Sequence, residues 1–430
     1  MSPRAPLTPP YPKGRGRIAI VYPRANLDTV PSLSGAIEEL AAHEYEVDVL
    51  TVSQAGQPAP EFSSPRVRVR SLGMDGLADH STARLRDFVK RAGWLPAAAR
   101  APLAHGYRVL GAGLAGTSRL AARARGAVAE RSERYVCVIG VDPDGLALAH
   151  TLARGAPVGY YSLELLLSDE LSTASEGQLK ARERELSRQV AFVVVQDEAR
   201  GRLLAADNDI PSERVVLVPN APPGPALRKP SGYWHSRFGL APEARVVIHS
   251  GSLGAWTGID TIVDSVPDWP EPWLLVIHTR YDAESSSYVE GLRKRADGRR
   301  VHFSLKPVPR QDYDPLIDGA DVGVAFYLPT GGSSFTRTNV QTIGFSSGKL
   351  AYYLRAGLPV IVNRAASIGS VVESTGTGIA VSDAAGIGAA LERVAASYAE
   401  LSARACAFFD ERLEFRRAFA EVVRRVDALR

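Results

Sequence analysis

The chain has 430 residues, of which 45% are hydrophobic and 23% are charged, and its formal net charge is +4 at pH 7. This composition is typical of a folded globular protein, and the length favours two domains over a single core. No apolar run approaches the roughly 18 residues that a membrane span requires. The small positive charge comes without a recognised binding motif, which argues against nucleic-acid binding.

The beginning of the chain indicates a tail. Residues 1–16 are rich in proline and basic side chains and have no hydrophobic core, so we predict a disordered segment rather than a signal peptide. The two cysteines, Cys137 and Cys406, lie far apart in the sequence and form no metal-binding or redox pattern. We therefore expect two buried free thiols in a reducing compartment, and a cytoplasmic location.

Strands and helices alternate along the chain. Short buried runs predict strands at 17–22, 46–52, 135–140, 158–161, 191–196 and 214–218 and, after a linker rich in proline and glycine at 221–230, at 244–250, 273–278, 300–303, 322–326 and 359–362. Amphipathic patterns predict helices at 32–43, 146–154, 177–189, 198–206, 259–265, 311–319, 350–356 and 411–430. Such alternation is typical of parallel sheets that are covered by helices on both faces.

Because the pattern restarts after the linker, we predict an α/β protein with two doubly wound domains. The carboxyl ends of the strands in both sheets would then face a central cleft, where such folds bind their ligands. The turn at 346–349 precedes a helix, and the free N–H groups of a helix start favour an anion. A phosphate-bearing ligand in the cleft is the resulting expectation.

A separate feature is the basic stretch at 84–134, which contains many arginines and few acids, with Phe88 and Trp94 among them. This pattern is compatible with weak association with an anionic membrane surface, or with an acidic acceptor. We favour a solvated helical face instead, because no sharp apolar stripe accompanies the charge.

Four stretches of the second half occur in an order and spacing that resemble a known family. They are VVLVPNA (215–221), HSGSLGAWTGID (249–260), VHFSLKPVPRQDYDPLIDGADVGVA (301–325) and SSGKLAYYLRAGLPVIV (346–362). Together they resemble the retaining GT-B glycosyltransferases of the glycogen-synthase-like superfamily, which are family 4-like enzymes with a nucleotide-sugar donor. The resemblance implies two Rossmann-like doubly wound domains facing a central cleft.

The resemblance also implies a division of the chain. An acceptor-side domain is expected at 17–222 and a donor-binding domain at 223–395. The terminal helices at 396–430 either cross back to pack on the first domain or form an ordinary chain end.

In this family the turn after the first strand of the second domain holds the donor diphosphate, often with basic residues before and after it. Both positions are neutral here, Ser252 and Thr257, so we expect the positive charge from Lys349 or Arg280. A solvated surface role for Arg280 is an equal alternative. The predicted donor-binding residues are Gly251, Ser252, Leu253, Gly254, Thr257, Arg280, Lys306, Asn339, Ser346, Ser347, Gly348, Lys349 and Tyr352.

The family also carries two glutamates at a fixed spacing, one near the donor sugar and one on the ribose. Those positions fall on Gly344 and Tyr352 here, so the resemblance implies that ribose recognition is built differently. The expected catalytic acids are Asp142 and Glu164, because each comes just past a predicted strand end. An ordinary turn in which Asp144 caps the next helix is the alternative for the Asp142 segment.

The resemblance implies a glycosyltransferase that moves a sugar from a nucleoside-diphosphate sugar to a small-molecule or glycan acceptor, with retention. Such enzymes are expected to need no protein nucleophile and no metal, because the donor phosphate can take the acceptor's proton. Two alternatives stay open. One is a sugar-nucleotide epimerase of the same fold, and the other is a non-catalytic GT-B module that supports a partner transferase.

Overall fold

The computed structural model describes residues 14–25, 27–52, 60–72, 124, 134–329, 337–364 and 366–430. The predicted tail up to residue 13 and nearly all of the basic stretch at 84–134 lie outside these residues, so both stay predictions. Within the described part of the chain, no helix is long and apolar enough to cross a bilayer. Cys137 is buried, whereas Cys406 is partly exposed, and both are free thiols.

The first half of the chain forms a sheet of seven parallel strands in the order β3-β2-β1-β4-β5-β6-β7. The strands are β1 (Arg17–Tyr22), β2 (Glu46–Thr51), β3 (Val67–Ser71), β4 (Cys137–Val141), β5 (Val158–Tyr161), β6 (Phe192–Val195) and β7 (Val215–Leu217). Since β1 pairs with both β2 and β4, the sheet grows in one direction from β1 and in the other from β4. The gap between their carboxyl ends is a switch point, the usual ligand position in such sheets.

Within the described residues of the first half, the helices that cover this sheet are α1 (Pro31–Ala42), α2 (Asp142–Leu152), α4 (Glu198–Asn208) and α3 (Ala174–Ser187), the last of which packs on α2 and α4. Local capping signals start two of them. The Thr173 side chain accepts from the Glu176 N–H in a capping box at α3, and the Asp197 side chain accepts from the Arg200 N–H at α4. The cap at Asp197 also fixes the start of α4 at the cleft edge of the sheet.

The second half forms a sheet of six parallel strands in the order β10-β9-β8-β11-β12-β13. These are β8 (Arg245–Ser250), β9 (Trp273–His278), β10 (Val301–Ser304), β11 (Val322–Ala325), β12 (Val360–Asn363) and β13 (Gly378–Val381). β8 pairs with both β9 and β11, which creates a second switch point. The helices of this half are α5 (Tyr233–Phe238), α6 (Ile259–Ser265), α7 (Ser287–Ala296), α8 (Arg310–Asp318), α9 (Arg337–Gln341), α10 (Gly348–Arg355), α11 (Ser367–Thr375), α12 (Ile387–Ala396) and α13 (Tyr398–Phe408).

The final helix, α14 (Phe415–Asp427), returns to the first domain. Its apolar side chains, Phe415 and Phe419 among them, are buried in the core that also contains β1 and β2 residues. Phe415 lies so close to Gly35 of α1 that a Cβ at residue 35 would be 2.9 Å from its ring. Helix α14 therefore belongs to the same hydrophobic core as β1 and β2.

The two doubly wound domains predicted from the sequence are confirmed. The sequence pattern does not predict β3, where charged residues alternate in VRVRS, or β13, which is short and begins at Gly378. Helix α2 begins at Asp142 and not at 146, because Pro143 suits the first turn of a helix. The Asp-Pro-Asp-Gly run is thus the first turn of α2.

Replacing Phe419 with alanine removes a buried ring from the first domain's core. We expect the free energy of unfolding to fall by about 3–5 kcal/mol, because the truncation loses transfer energy and leaves a cavity. Urea denaturation followed by circular dichroism measures it. The exposed Arg417 on the same helix is the control, and Arg417→Ala should change the value by less than about 0.5 kcal/mol. Equal effects of the two substitutions would contradict the packing of α14.

Candidate functional site

The loops at the carboxyl ends of the two sheets meet across a cleft. Arg280, which follows β9, donates from Nη1 to the carbonyl oxygen of Thr29 in the first domain at 3.3 Å. Asn220, which follows β7, donates its N–H to the carbonyl of Phe345 at 2.8 Å and its Nδ2 to that of Ser346 at 3.1 Å. These hydrogen bonds hold loops at the carboxyl ends of the two sheets against each other.

Lys349 lies at the second switch point, and its ammonium group is buried. The aliphatic stem packs on Gly251, where a Cβ would be 3.3 Å from the Lys349 Cδ. Nζ lies 4.9 Å from the ring centroid of Tyr327 and 5.8 Å from that of Trp256. Among the residues that the structure describes, none accepts a hydrogen bond from Nζ. Burial lowers the pKa of Lys349 to about 7.

Local sequence signals place this lysine. Ser347 caps α10, since its Oγ accepts from the Leu350 N–H at 3.1 Å, and this leaves Lys349 in the first turn. The Tyr327 hydroxyl is 2.6 Å from the same Oγ and fixes its ring beneath the ammonium. Gly251 has a φ of +139°, a backbone conformation that residues other than glycine rarely adopt. Because it has no side chain, it leaves room for the aliphatic stem of Lys349.

His249, at the carboxyl end of β8, lies beside the lysine and stays neutral. It is fully buried, and its Nε2 lies 3.3 Å from the carbonyl oxygen of Ser252. Burial, with a further contribution from the charge of Lys349, holds the pKa of His249 well below its ordinary value. The positive charge of this pocket is therefore carried by Lys349.

The pocket has the chemistry of an anion site. The first-turn N–H groups of Gly348 and Lys349 are among those that a helix leaves without an intrahelical partner. They point along the axis that favours negative charge at a helix start. A buried ammonium next to these groups can hold a phosphate more strongly than an exposed lysine can, because the surroundings screen the charge less.

The first switch point carries acids and one arginine. Arg24, just past β1, forms an ion pair with Asp142 at 2.9 Å. Asp142 is buried, and its Oδ1 accepts from the N–H groups of Leu163 at 2.8 Å and Glu164 at 3.1 Å. This corrects the prediction for Asp142: its carboxylate supports a turn of the protein backbone and is not presented to the cleft.

Glu164 is the acid that this turn presents. Half of its side chain is exposed, and the nearest ion-pair partner among the described residues is Arg200 at 4.0 Å. Partial burial raises the pKa of Glu164. The charge of Arg200 lowers this pKa, and the charge of Asp142 raises it further. The Glu164 charge also contributes to the raised pKa of Tyr327, whose main cause is burial. Glu164 is therefore the exposed acid of this turn, on the first-domain side of the cleft.

Asp144 is a second acid with a perturbed pKa near Arg24. Burial raises its pKa to about 6, the charge of Arg24 opposes the rise, and that of Asp142 adds to it. It lies inside the first turn of α2, which has no side-chain cap, so the alternative in which Asp144 caps the helix is wrong. A carboxyl with this pKa changes its charge close to neutral pH.

Two predicted donor-binding hydroxyls are already hydrogen-bonded to the protein backbone. The Thr257 hydroxyl is buried and donates to the Gly254 carbonyl at 2.7 Å. The Ser347 hydroxyl is used as the cap of α10. Lys306 is exposed in the loop after β10. The corrections for Thr257 and Ser347 share one cause: a hydroxyl suits a phosphate, but the local backbone already binds it. Lys306 stays a prediction.

The remaining predicted residues divide between the pocket wall and the domain junction. Ser252 is exposed at the mouth of the turn, and the Leu253 N–H donates to the Tyr281 hydroxyl at 3.1 Å. The Ser346 hydroxyl donates to Gln196 of the first domain at 3.3 Å. Asn339 is a further correction, since its buried amide binds the Leu165 backbone and not the pocket.

The two positions that hold glutamates in the family have different surroundings here. Gly344 is buried, and a Cβ there would lie 3.2 Å from Ser367 Oγ and 3.6 Å from Asp197 Oδ2, so a second carboxylate would meet a like charge. The Tyr352 ring packs edge-on against the Tyr313 ring, with 4.7 Å between the ring centroids. Arg280 lies over the Tyr313 ring at 4.4 Å and the Tyr352 ring at 5.7 Å. Tyr352 thus belongs to an aromatic stack under Arg280.

Sequence reasoning missed four residues of the site: Arg24, His249, Trp256 and Tyr327. Arg24, His249 and Tyr327 stand at or just past the carboxyl end of a buried strand, and Trp256 lies in the glycine turn. That position is the signal that could have found them. Among the described residues, no group of three or more His, Cys, Asp or Glu side chains could hold a metal ion.

Replacing Lys349 with methionine tests the electrostatics of the pocket. Because the pKa of Lys349 in the folded state is below its unfolded value of about 10.4, the folded protein disfavours the charged form. This cost is absent above the unfolded value, grows as the pH falls, and is complete below about pH 7. We expect Lys349→Met to raise the thermal midpoint by at least about 2 °C below that pH.

Thermal denaturation of wild type and variant between about pH 6 and about pH 10 measures this difference. The exposed Lys294 supplies the control, since Lys294→Met should show no difference that depends on pH. A Lys349→Met variant that is no more stable than wild type at any pH would contradict a buried, unpartnered ammonium.

Two family descriptions match the chain. Residues 30–221 match the glycosyl transferase 4-like domain, and residues 342–415 match the C-terminal domain of the glucosyltransferase 3-like proteins. The first match covers most of the seven-stranded domain, and the second contains Lys349 and Tyr352. No curated protein sequence matches the chain.

Solved structures share the fold over nearly the whole chain. Sucrose-phosphate synthase from Thermosynechococcus elongatus superimposes with a TM-score of 0.68 at 16% identity, over 97% of this chain and 100% of that one. Anabaena Alr3699/HepE, which was solved with UDP-glucose, has a TM-score of 0.64 and 14% sequence identity, over 96% of this chain and 100% of that one. WaaG, a glycosyltransferase involved in lipopolysaccharide biosynthesis, has a TM-score of 0.61 and 14% sequence identity, over 95% of this chain and 99% of that one.

At such low identities these structures establish the architecture, and the family descriptions add the kinship in sequence. Both agree with the resemblance of the four sequence stretches. The chain has the GT-B fold, and its residues 30–221 are similar to the glycosyl transferase 4-like domain.

Proposed function

We propose that this protein transfers a sugar from a UDP-sugar to a hydroxyl-bearing acceptor. The observation that carries the proposal is the buried Lys349 ammonium, which has no hydrogen-bond acceptor among the described residues. A buried charge without a counter-charge costs stability. Its presence is explained if an anionic ligand completes the site, and the diphosphate of a nucleotide sugar has the required charge.

The choice of uridine is supported by proteins of the same fold. Alr3699/HepE from Anabaena was solved with UDP-glucose, and with UDP and glucose. A trehalose-6-phosphate protein from E. coli was solved with UDP-2-fluoro glucose. These complexes are of other proteins, so the nucleotide is the first variable that a binding experiment must test.

In the proposed reaction, the bond between the anomeric carbon of the sugar and the diphosphate oxygen breaks. The acceptor oxygen bonds to that carbon on the same face, which gives retention, and the acceptor's proton passes to the departing diphosphate. Lys349 stabilises the negative charge that develops on the leaving group, and we assign no metal to this role. Glu164, on the opposite wall, accepts a hydrogen bond from a substrate hydroxyl.

A second candidate is a non-catalytic module that supports a partner transferase. It is favoured by Gly344 and Tyr352, which cannot provide the carboxylates that the family has at these positions. Such a module has no need of a buried lysine at the helix start. Binding of UDP therefore separates the two candidates.

Replacing Lys349 with methionine should weaken UDP binding by at least about tenfold, because a charge-assisted hydrogen bond to phosphate is lost. Isothermal titration calorimetry in the presence of EDTA measures the affinity and excludes a contribution from added metal. The matched variant Lys294→Met, on an exposed face, should bind as wild type does. Equal affinity of wild type and Lys349→Met, or no binding by wild type, would refute the proposed donor site.

The same lysine should couple UDP binding to proton uptake. Alone, Lys349 has a pKa of about 7, and a bound diphosphate favours its charged form, so binding above that pH takes up a proton. Affinity should fall between about pH 7.5 and about pH 9, where UDP itself is fully ionised. Lys349→Arg should remove this slope, since a guanidinium stays protonated. Titrations in buffers of different ionisation enthalpy count the protons, and a flat wild-type profile would contradict the assignment.

A further inference from the structure

In the turn that carries Glu164, side chains bind the backbone N–H and carbonyl groups of all three residues at 163–165. The N–H groups of Leu163 and Glu164 donate to Asp142 Oδ1. The Leu163 carbonyl accepts from Arg200 Nη2 at 2.7 Å, and the Glu164 carbonyl accepts from Ser162 Oγ at 3.3 Å. A loop held at every backbone group fixes the position and direction from which its side chain extends.

The last two bonds of this turn come from the other domain. Asn339, in α9, accepts from the Leu165 N–H at 2.9 Å and donates to the Leu165 carbonyl at 2.8 Å. Its side chain is buried, so these bonds are sheltered from solvent. One amide of the second domain therefore closes both backbone groups of the residue that follows Glu164.

Arg200 links the two sets of bonds. Its guanidinium is buried, and Nη2 donates both to Asn339 Oδ1 at 2.9 Å and to the Leu163 carbonyl. The same Nη2 lies 4.0 Å from a Glu164 carboxylate oxygen. Displacement of Asn339 would thus disturb the Arg200 contacts on both sides of Glu164.

Helix α9 is itself clamped to the first domain. Glu170 Oε1 accepts from Arg337 Nε at 2.9 Å, from the Thr338 N–H at 3.1 Å and from Thr338 Oγ1 at 2.5 Å. A carboxylate at the first turn of a helix also suits the helix dipole. The clamp brings Asn339 to Leu165 whenever the two domains are in contact at this point.

We propose that Asn339 is a cross-domain positioning residue, which makes the placement of Glu164 in the cleft depend on contact between the two domains. The inference rests on the proposed function, because Glu164 acts only on a substrate bound in the cleft. Asn339 touches no substrate in this scheme. It acts through the backbone of Leu165, so the acid is set for the reaction only when α9 is docked.

The first experiment compares Asn339→Ala with Gln341→Ala, an exposed change on the same helix. UDP-glucose is the probe, and UDP release is followed with and without simple sugar acceptors. We expect Asn339→Ala to lower kcat at least about tenfold, because a misplaced group costs that much, with UDP affinity changed less than about threefold. Gln341→Ala should match wild type in both. An unchanged kcat, or a UDP affinity that falls as much as kcat does, overturns the proposal.

A double-mutant cycle shows whether Asn339 works through Glu164. In a Glu164→Gln background, Asn339→Ala should lower kcat further by less than about threefold, because the group that it positions is already disabled. A full additional tenfold loss would mean that Asn339 acts independently, and it overturns the proposal. A Glu164→Gln variant with wild-type kcat overturns it as well.

Hydrogen exchange keeps this test separate from the proposed function. The Leu165 amide of the protein without nucleotide should exchange at least about tenfold faster in Asn339→Ala than in Gln341→Ala, since its hydrogen bond is lost. Equal exchange overturns the proposal whether or not UDP binds. A wild type that fails to bind UDP but shows this exchange difference defeats the proposed function and leaves only the structural link between Asn339 and the turn.

Discussion

The buried ammonium of Lys349 is the constraint on which the site depends. It lies over the Tyr327 ring, against Gly251, and its pKa is lowered by burial, so the folded chain holds a charge that it does not neutralise. The surrounding features make room for it: a glycine with a positive φ, a helix that starts beneath it, and a histidine kept neutral. An unfavourable group retained in a cleft between two domains is typical of a binding site.

Lys349 belongs to one domain and Glu164 to the other, so the relative position of the domains sets the distance between these two side chains. Two kinds of contact govern that position. Helix α14 follows the helices of the second domain and packs in the core of the first domain, so it joins the two domains. Asn339 and the Glu170 clamp, by contrast, are small polar contacts at the cleft, and such contacts can open without unfolding either core.

The architecture could be predicted from the sequence, because buried strands and amphipathic helices have periods that are visible in a single chain. Lys349 and Gly251 could be singled out because a glycine turn and a helix start have local signatures. The predicted roles of Thr257 and Ser347 were wrong, because the direction of a hydroxyl depends on which backbone group it binds. The role of Asn339 depends on Leu165, which is 174 residues away, and no local pattern records such a contact.

The most direct test of the account is the pKa of Lys349 itself, with and without UDP. The chain contains few lysines, so ¹³C-dimethylation of their amines should give a resolved signal for each, assigned with Lys349→Met. We predict that Lys349 titrates at about 7 in the protein alone and stays protonated to above about pH 9 when UDP is bound. An ordinary lysine pKa of about 10.4 in both states would contradict a buried ammonium that awaits a diphosphate.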